Sequence, residues 1–473
     1  MEALHKWNAR EAVKAVQTGK VSPQDLLQHT LRRHEAINPA LHGVVSIDPS
    51  AQQQAKGLLA GLPISVKDQI HVAGMPATSG AEMLKDFQPE KDAALAARLR
   101  SAGATLFAKT NLPPLAMDFQ ASNKLFGATE NPWKKGYTSG GSSGGAAVVA
   151  AGLSFGDLGS DLAGSLRIPA SFCGVTSLSP TTNTQPFDGT MTLLERRGIT
   201  IDHLIRIGPI ARQVGDLALF WQVLQPESPV VKGPAKRPLK IAWSQHLGGL
   251  YPVDGILQAI QKSLHLFEQE GHSTKEMAPK DFDVELAWKA FGHIQGYEFG
   301  AVLNPIQRFV GNILSKSAAK RSPRFIRPIM EGQRRNKARY QRALESRRQL
   351  IQAVDTFLEE WDLWILPVTT VSAFPHIPPT RETPMGRDYT HEFTIGKGQK
   401  LGYFDALTCF TIPFSLTGHP ILTLPVGLTE DGLPVGIQII GKKEKEHELL
   451  AMGWQLEGIL PKLTCPLLEK ESF

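Results

Sequence analysis

Residues 140–151 read Gly-Gly-Ser-Ser-Gly-Gly-Ala-Ala-Val-Val-Ala-Ala, a glycine-serine loop that runs directly into small apolar residues. A flexible linker is rarely followed by a run that favours burial. A phosphate-binding loop is disfavoured because no lysine follows the second glycine pair. The remaining interpretation is that the glycines let the backbone approach a reacting group while the hydroxyls of Ser142 and Ser143 point into a site.

A second segment of small residues, 159–170, reads Gly-Ser-Asp-Leu-Ala-Gly-Ser-Leu-Arg-Ile-Pro-Ala. The small residues before Ser165 leave successive backbone N–H groups free to bind an oxyanion. Acyl transfer needs such donors because negative charge develops on the carbonyl oxygen in the transition state. A tight turn in which Ser165 is only a cap is the alternative interpretation of these residues.

Lys67 is the strongest candidate for the base that a serine nucleophile requires. It ends the apolar run of residues 63–66. A lysine at the end of a buried strand must be paired or lose its proton, because desolvation lowers its pKa. A neutral Lys67 could accept a proton, whereas pairing with Asp68 is the structural alternative.

The hydrophobic pattern predicts an α/β protein, because short apolar runs alternate with helical stretches from residue 61 onward. The first forty residues predict two helices, with Ser22 capping the second and residues 37–39 ending it. A proline-bearing linker, 225–237, precedes a new strand. The predicted strands lie at 62–66, 104–108, 239–243, 363–367 and 432–441, and the further helices at 93–101, 255–271, 333–359 and from residue 446.

The composition and net charge disfavour several classes of function. The chain has 473 residues, of which 42% are apolar and 20% charged, as in a soluble globular enzyme. The net charge of +6 is mild, and the basic cluster at 334–348 includes glutamates and apolar residues, which favours a solvated helix over nucleic-acid binding. The three cysteines are far apart and lack metal-ligand spacing. With no signal-peptide core or long apolar run, we expect a cytoplasmic protein without membrane contact.

The two segments and Lys67 together resemble the amidase signature family. The resemblance includes the run Gly-Leu-Pro-Ile-Ser-Val-Lys-Asp at 61–68 and covers the chain outside its helical middle part. Further segments similar to the family lie at 99–111, 127–133, 207–212 and 432–438.

The resemblance implies a catalytic triad in which Ser165 attacks an amide, Ser142 on a cis peptide relays the proton, and Lys67 receives it. It also implies an oxyanion hole and a set of supporting side chains. The backbone N–H groups implied for the oxyanion hole are those of Leu162, Ala163, Gly164 and Ser165. The side chains implied as supports are those of Ser143, Ser160, Asp161 and Arg167.

The resemblance also implies the architecture: a single large α/β/α unit with a twisted mixed sheet flanked by helices on both faces. We expect one amidase domain over 1–473, with a core of about 1–224 and 401–473 and a variable helical insert of about 239–400 that carries substrate-binding loops. The expected partner is a small-molecule amide, with no cofactor, metal or nucleic acid. A homodimer is among the assemblies considered.

Four positions depart from the family pattern. Ala163 replaces a glycine, which a negative φ would allow. Ser160 stands where threonine is common, Pro113-Pro114 where many members carry glutamate, and Ser415 where asparagine is usual. None of the four belongs to the triad.

Three alternatives stay open at this point. The loop at 140–144 also fits Gly-x-Ser-x-Gly, so Ser142 could be the nucleophile of an α/β-hydrolase with His419 or His447 as its base. The polar, proline-bearing residues 130–139 disfavour the strand that such a nucleophile follows. The chain could instead be a glutaminase-type subunit of a glutamyl-tRNA amidotransferase, or a scaffold without activity.

Overall fold

The computed structural model describes residues 3–470 except 196, 199, 200, 202, 384 and 385. Its centre is an 11-stranded sheet flanked by helices on both faces, which confirms the predicted α/β/α fold. No helix in this described part is long and apolar enough to cross a bilayer.

The strands, in chain order, are β1 (Val44–Ile47), β2 (Pro63–Lys67), β3 (Thr105–Thr110), β4 (Ser122–Asn123), β5 (Gly127–Ala128), β6 (Asp157–Asp161), β7 (Thr176–Ser179), β8 (Arg206–Ala211), β9 (Lys240–Trp243), β10 (Ser273–Glu276), β11 (Leu363–Pro367), β12 (Arg381–Thr383), β13 (Gly386–Asp388), β14 (Glu392–Thr394), β15 (Lys400–Gly402), β16 (Ile421–Leu428) and β17 (Pro434–Ile440).

The helices are α1 (Ala9–Gln17), α2 (Pro23–Leu41), α3 (Ala94–Ser101), α4 (Gly145–Ala150), α5 (Arg167–Cys173), α6 (Thr192–Glu195), α7 (Val214–Leu224), α8 (Asp254–Gln269), α9 (Val284–Phe299), α10 (Pro305–Leu314), α11 (Lys316–Arg321), α12 (Ile326–Gln333), α13 (Lys337–Glu360), α14 (Tyr403–Thr408), α15 (Ile412–Thr417), α16 (Glu446–Ile459) and α17 (Pro466–Glu469).

The main sheet is mixed, with the order β1-β3-β2-β6-β8-β7-β16-β17-β11-β9-β10. Strand β2 pairs in parallel with both β3 and β6, while β6 pairs antiparallel with β8. Strands β9, β10 and β11 complete one end of this sheet, so the segment 239–400 contributes strands to it as well as helices.

Burial on both faces explains the sequence of the central strands. Every residue of β2, β3, β6, β8 and β11 is buried. Strands covered on both faces are typically almost continuously apolar. Polar side chains within them therefore need specific partners, and they cluster where β2 and β6 end.

The helix α2 ends two residues later than predicted. Ser22 caps its start, accepting from the N–H of Asp25, as expected. Pro39 lies inside the last turn, and the helix ends at Leu41. The Asn38 carboxamide explains the difference, because its oxygen accepts from the N–H groups of Gly43 and Val44 and so holds the chain reversal beyond the helix.

Candidate active site

The site lies where two parallel strands end at the same edge of the sheet. In the β2–β6 ladder Ser65 is the partner of Asp157 and Val66 of Leu158. Continuing this register places Lys67 opposite Gly159, next to Ser160 of β6. Carboxyl ends of parallel strands are a common location for functional groups in α/β proteins.

Lys67 is fully buried and bonded to two hydroxyls. Its Nζ lies 2.7 Å from Ser142 Oγ and 3.1 Å from Ser160 Oγ. Burial lowers the pKa of Lys67 to about 7, although the carboxylates of Asp157 and Asp161 oppose the shift. A substantial fraction of Lys67 is therefore uncharged near neutral pH and can accept a proton.

The glycines around Ser142 are needed for close backbone approach. The Gly141–Ser142 peptide bond is cis, as the resemblance implied. A Cβ on Gly141 would lie 2.5 Å from the carbonyl carbon of Phe119, and one on Gly144 would lie 2.7 Å from the carbonyl oxygen of Asn111. Any side chain at either position would therefore displace the loop that carries Ser142.

The turn that carries Ser165 also depends on a glycine. Gly164 has a φ of +120°, and a Cβ there would lie 2.9 Å from Thr411 Oγ1. Ala163 does not have a positive φ, so the family's glycine is dispensable at that position. Thr411 Oγ1 donates to the carbonyl oxygen of Ala163 at 2.6 Å and fixes the turn. Ser165 ends this turn and is buried.

A buried ion pair supports the Ser165 turn. Asp161 accepts from Arg167 Nε at 3.0 Å and from Arg167 Nη2 at 2.9 Å. Although burial opposes ionisation, the Arg167 guanidinium holds the pKa of Asp161 well below its usual range. The same carboxylate accepts from the N–H of Leu166 at 3.2 Å, so the pair holds the residues on both sides of Ser165.

The backbone donors near Ser165 differ from the expectation at one residue. The N–H of Gly164 donates to Asp161 Oδ1 at 2.7 Å, so this N–H is not free to bind an oxyanion. Among the hydrogen bonds of the described residues, none uses the N–H of Leu162, Ala163 or Ser165. Three donors of the predicted set of four are thus left without a protein acceptor.

The two serine-bearing segments pack against each other. A Cβ on Gly140 would lie 2.8 Å from the Cα of Pro169 in α5, and one on Gly159 would lie 3.1 Å from Ser143 Oγ. Ser143 is buried, and its Oγ has no hydrogen-bond partner in the described structure. Ser143 therefore shapes the contact between the two segments by packing.

Ser142 and Ser165 do not share a hydrogen bond within the part of the chain that the structure describes. The hydroxyl of Ser142 is instead bonded to Lys67. Catalytic hydrogen bonds often tighten only when substrate binds, which is compatible with a relay between the two serines.

The histidines of the α/β-hydrolase alternative lie elsewhere. His419 is buried and bonded through Nε2 to Asp355 Oδ1 at 2.9 Å. His447 Nε2 lies 3.7 Å from Glu448 Oε1. Because Ser142 is bonded to Lys67 and to neither histidine, this geometry disfavours that alternative.

Several supporting residues were not predicted from sequence. Arg167 Nη1 donates to the carbonyl oxygen of Thr411 at 2.9 Å and to Gln438 Oε1 at 3.1 Å, and Nη2 donates to Ser415 Oγ at 2.6 Å. Ser415 had a signal, because it departs from the family pattern. Gln438 ends the family-like segment 432–438, whereas Thr411 had no signal, since only folding brings it to Arg167.

Asp157 is a second unpredicted member of the site. It accepts from Ser65 Oγ at 2.7 Å and from Thr110 Oγ1 at 3.0 Å, while its Oδ2 is buried without a partner. Burial raises the pKa of Asp157 to about 6. Its negative charge acts on Lys67 and favours the protonated amine.

A cavity of about 620 Å³ lies beyond Phe119, and Lys67, Ser142 and Ser165 are not among its lining residues. Phe325 and Phe404 line it and make aromatic contacts with Phe119, whose backbone packs on Gly141 beside Ser142. Most of its other lining residues are apolar and come from α10, α12 and the segments that flank them. In the described residues, no group of three or more His, Cys, Asp or Glu side chains could hold a metal ion.

Comparison with known proteins shows similarity over nearly the whole chain. The profile of the family described as Amidase matches residues 25–450. An acylamidase of Rhodococcus erythropolis is 30% identical, covering 97% of this chain and 96% of its own. A glutamyl-tRNA(Gln) amidotransferase subunit of Thermus thermophilus is also 30% identical, covering 93% and 95%. The structure of 6-aminohexanoate cyclic dimer hydrolase matches with a TM-score of 0.79 at 25% identity, covering 99% and 100%.

Replacing Asp157 by asparagine is expected to move the pH dependence of Ser165 reactivity toward lower pH, by up to about one pH unit. In the wild type, reactivity should rise as pH rises through about 7, because Lys67 must lose its proton. Without the Asp157 carboxylate that loss occurs at lower pH. The measurement is the rate at which a fluorophosphonate labels Ser165, followed by mass spectrometry across the neutral range.

Asp92→Asn is the matched control for this experiment. The Asp92 carboxylate acts on Lys109 and is not among the charges that act on Lys67. Its removal should leave the pH profile in place. Coincident profiles for Asp157→Asn and the wild type would show that Asp157 does not influence the protonation of Lys67.

Replacing Arg167 by methionine is expected to lower the free energy of unfolding by about 3 to 5 kcal/mol, because it leaves the buried Asp161 charge without its partner. Urea unfolding followed by circular dichroism measures the change. The control is Arg348→Met, since Arg348 and its partner Glu345 are 70% and 55% exposed and such surface pairs contribute little. Equal losses in both variants would contradict a supporting role for Arg167.

Proposed function

The chain belongs to the amidase family and is an amidohydrolase that acts on carbon–nitrogen bonds, and we propose that Ser165, Ser142 and Lys67 form its catalytic triad. The observation that carries the proposal is the 2.7 Å hydrogen bond between Lys67 Nζ and Ser142 Oγ in a fully buried setting. A lysine in water would be neutral only about once in a few thousand molecules at pH 7. Burial lowers the pKa of Lys67 to about 7 and so removes most of the cost of deprotonating it at neutral pH.

The first half of the proposed reaction forms an acyl-enzyme. Neutral Lys67 takes the proton of Ser142 Oγ, Ser142 takes the proton of Ser165 Oγ, and Ser165 Oγ bonds to the amide carbonyl carbon. The carbonyl oxygen becomes negative and accepts from the N–H groups of Leu162, Ala163 and Ser165. One such donor typically contributes about 3 kcal/mol to transition-state stabilisation.

The leaving group then departs as ammonia or an amine. Ser142 gives its proton to the leaving nitrogen and is resupplied by the Lys67 ammonium, so the C–N bond breaks and the ester at Ser165 remains. Water attacks this ester by the same relay in reverse. The products are a carboxylic acid and free Ser165.

We further propose that the segment 239–400 and its loops select the acyl group. Support comes from the 620 Å³ cavity, whose lining residues Phe325 and Phe404 contact Phe119 next to the Ser142 loop. Residues of this segment that line the cavity also include Val302, Leu303, Ile326 and Arg387. A small-molecule amide remains the proposed substrate, the cytoplasm the proposed compartment and a homodimer the proposed assembly.

A glutaminase-type component of an amidotransferase is the second candidate. The specific observation in its favour is the 30% identity with the amidotransferase subunit of Thermus thermophilus, equal to that with the acylamidase. Glutamine hydrolysis that requires tRNA and partner proteins would support this candidate. Turnover of simple amides by the isolated chain would support a free-standing amidase.

Replacing Ser165 by alanine is expected to reduce amide turnover by more than about 1000-fold, because no acyl-enzyme can form. Ser142→Ala and Lys67→Met should cause losses of similar order, since the three residues act as one relay. Initial rates with an amide panel measure turnover, and mass spectrometry locates the fluorophosphonate adduct.

His447→Ala is the control, because His447 lies outside the proposed relay. It should keep both turnover and the adduct at residue 165. Wild-type turnover by Ser165→Ala, or an adduct on Ser142 in the wild type, would exclude the proposed nucleophile.

A further inference from the structure

Helix α10 carries an unusual concentration of exposed apolar side chains. Of the nine large apolar side chains that are exposed in the described residues, five lie on this helix. We call these five the α10 patch: Ile306, Phe309, Val310, Ile313 and Leu314. Ile306 is 74% exposed and Phe309 66%. Contiguous exposed apolar surface of this kind marks an interaction site more often than chance.

The patch has two rows with different surroundings. Ile306, Val310 and Leu314 follow each other at intervals of four residues and line the mouth of the 620 Å³ cavity. Phe309 and Ile313 form a neighbouring row that does not line the cavity. Because both rows are exposed, one continuous apolar surface extends from the cavity mouth to the outside of the helix.

The helix is a well-defined element. Asn304 and Gln307 form a capping box at its start, with each side chain accepting from the other's backbone N–H. Arg308 donates to the carbonyl oxygens of Gly300 and Leu303 and ties the helix to the preceding turn. The patch is therefore presented on a capped helix whose start is fixed to the protein.

The surrounding sequence is strongly basic. Residues 299–330 contain six lysine and arginine residues and no aspartate or glutamate. Arg321 pairs with Asp388, and Arg324 lies 3.8 Å from Asp405. Of the six basic residues in this segment, the three that are exposed and have no ion pair in the described structure are Lys316, Lys320 and Arg327.

We propose that the α10 patch and these cations dock the enzyme on an anionic lipid bilayer. An amphipathic helix lies in the membrane interface when its apolar face enters the acyl boundary and basic residues meet anionic headgroups. Lys316 and Lys320 are one helical turn apart on α11, which follows α10 directly. Each lysine near an anionic surface strengthens binding by roughly fivefold.

Charge favours a bilayer over a second copy of the chain as the occupant. A twofold dimer through α10 would bring the same surface of each copy together. Lys316, Lys320 and Arg327, which have no ion pair in the described structure, would then lie close to the same three cations of the other copy. An anionic bilayer instead supplies the complementary charge.

The position of the cavity next to the α10 patch indicates which substrates would enter it from the bilayer. Exposed Met83, Ile306, Val310 and Leu314 also line the cavity, so its mouth opens beside the proposed membrane contact. An amide with a long apolar acyl chain could pass from lipid to the cavity without crossing water. This consequence rests on the proposed function, and the docking itself departs from the sequence-based expectation of no membrane contact.

The test is co-sedimentation of the full chain with vesicles of phosphatidylcholine, with and without phosphatidylglycerol. The wild type should sediment with the anionic vesicles and much less with neutral ones. Phe309→Ser/Ile313→Ser should bind the anionic vesicles about 10-fold less or weaker still, because it removes the outer apolar row. Lys316→Gln/Lys320→Gln should also lose about 10-fold or more.

The matched controls make the same kinds of substitution at exposed positions outside α10 and α11. Val230→Ser/Leu428→Ser alters side chains that are 53% and 42% exposed, and Lys240→Gln/Lys275→Gln removes two exposed charges. Both controls should sediment as the wild type does. The proposal is overturned if the wild type stays in the supernatant, if the α10 variants bind normally, or if the controls lose as much.

Sedimentation velocity distinguishes the competing occupant. A wild-type dimer that Phe309→Ser/Ile313→Ser converts to monomer, without vesicle binding by the wild type, would assign the patch to self-association and overturn the proposal. Turnover of a short water-soluble amide reports separately on the catalytic proposal, since Phe309 and Ile313 line neither the cavity nor the site. That turnover should match the wild type, while turnover of a long-chain amide in anionic vesicles should fall with binding.

Discussion

The site depends on one buried amine that is held between hydroxyls at the end of a strand. Lys67 Nζ lies 2.7 Å from Ser142 Oγ and 3.1 Å from Ser160 Oγ, with no surface exposure. Removing water lowers its pKa to about 7, while two carboxylates limit the shift. The parallel pairing of β2 with β6 creates this arrangement, because it aligns the carboxyl ends of both strands. The interior of the sheet thus does more than stabilise the fold, since it also sets the protonation of the proposed base.

The buried Asp161–Arg167 pair is the second constraint. Neither side chain has measurable exposure, and the pair links β6 to the start of α5 across the turn that carries Ser165. A buried ion pair is favourable only when its remaining groups are satisfied. Arg167 meets this condition through Thr411, Ser415 and Gln438, and Asp161 through backbone donors. One consequence is that the N–H of Gly164 donates to Asp161, whereas the N–H groups of Leu162, Ala163 and Ser165 have no acceptor in the described residues.

The segment 239–400 contributes both strands to the main sheet and helices to the lining of the cavity. Its strands β9, β10 and β11 extend the main sheet, while α10 and α12 line the cavity beside Phe119. Exposed apolar residues on α10 have no counterpart of similar density elsewhere in the described structure. Helix α10 would thus have two roles, because it lines the cavity and also attaches the enzyme to a lipid surface. Membrane attachment and the choice of substrate would therefore depend on the same helix.

The sequence by itself determined the α/β fold, most element positions and the small residues of the site, because periodicity and glycine-serine patterns are local properties. The predicted strand at 363–367 coincides with β11, whereas the end of α2 was missed because it depends on the Asn38 side chain. Only the tertiary structure decided that Asp157 acts on Lys67, that Gln438 holds Arg167 and that the Gly164 N–H is already used. These contacts join residues whose meeting depends on strand register and turn geometry, and a pattern of residue types along the chain does not encode the distances between their atoms.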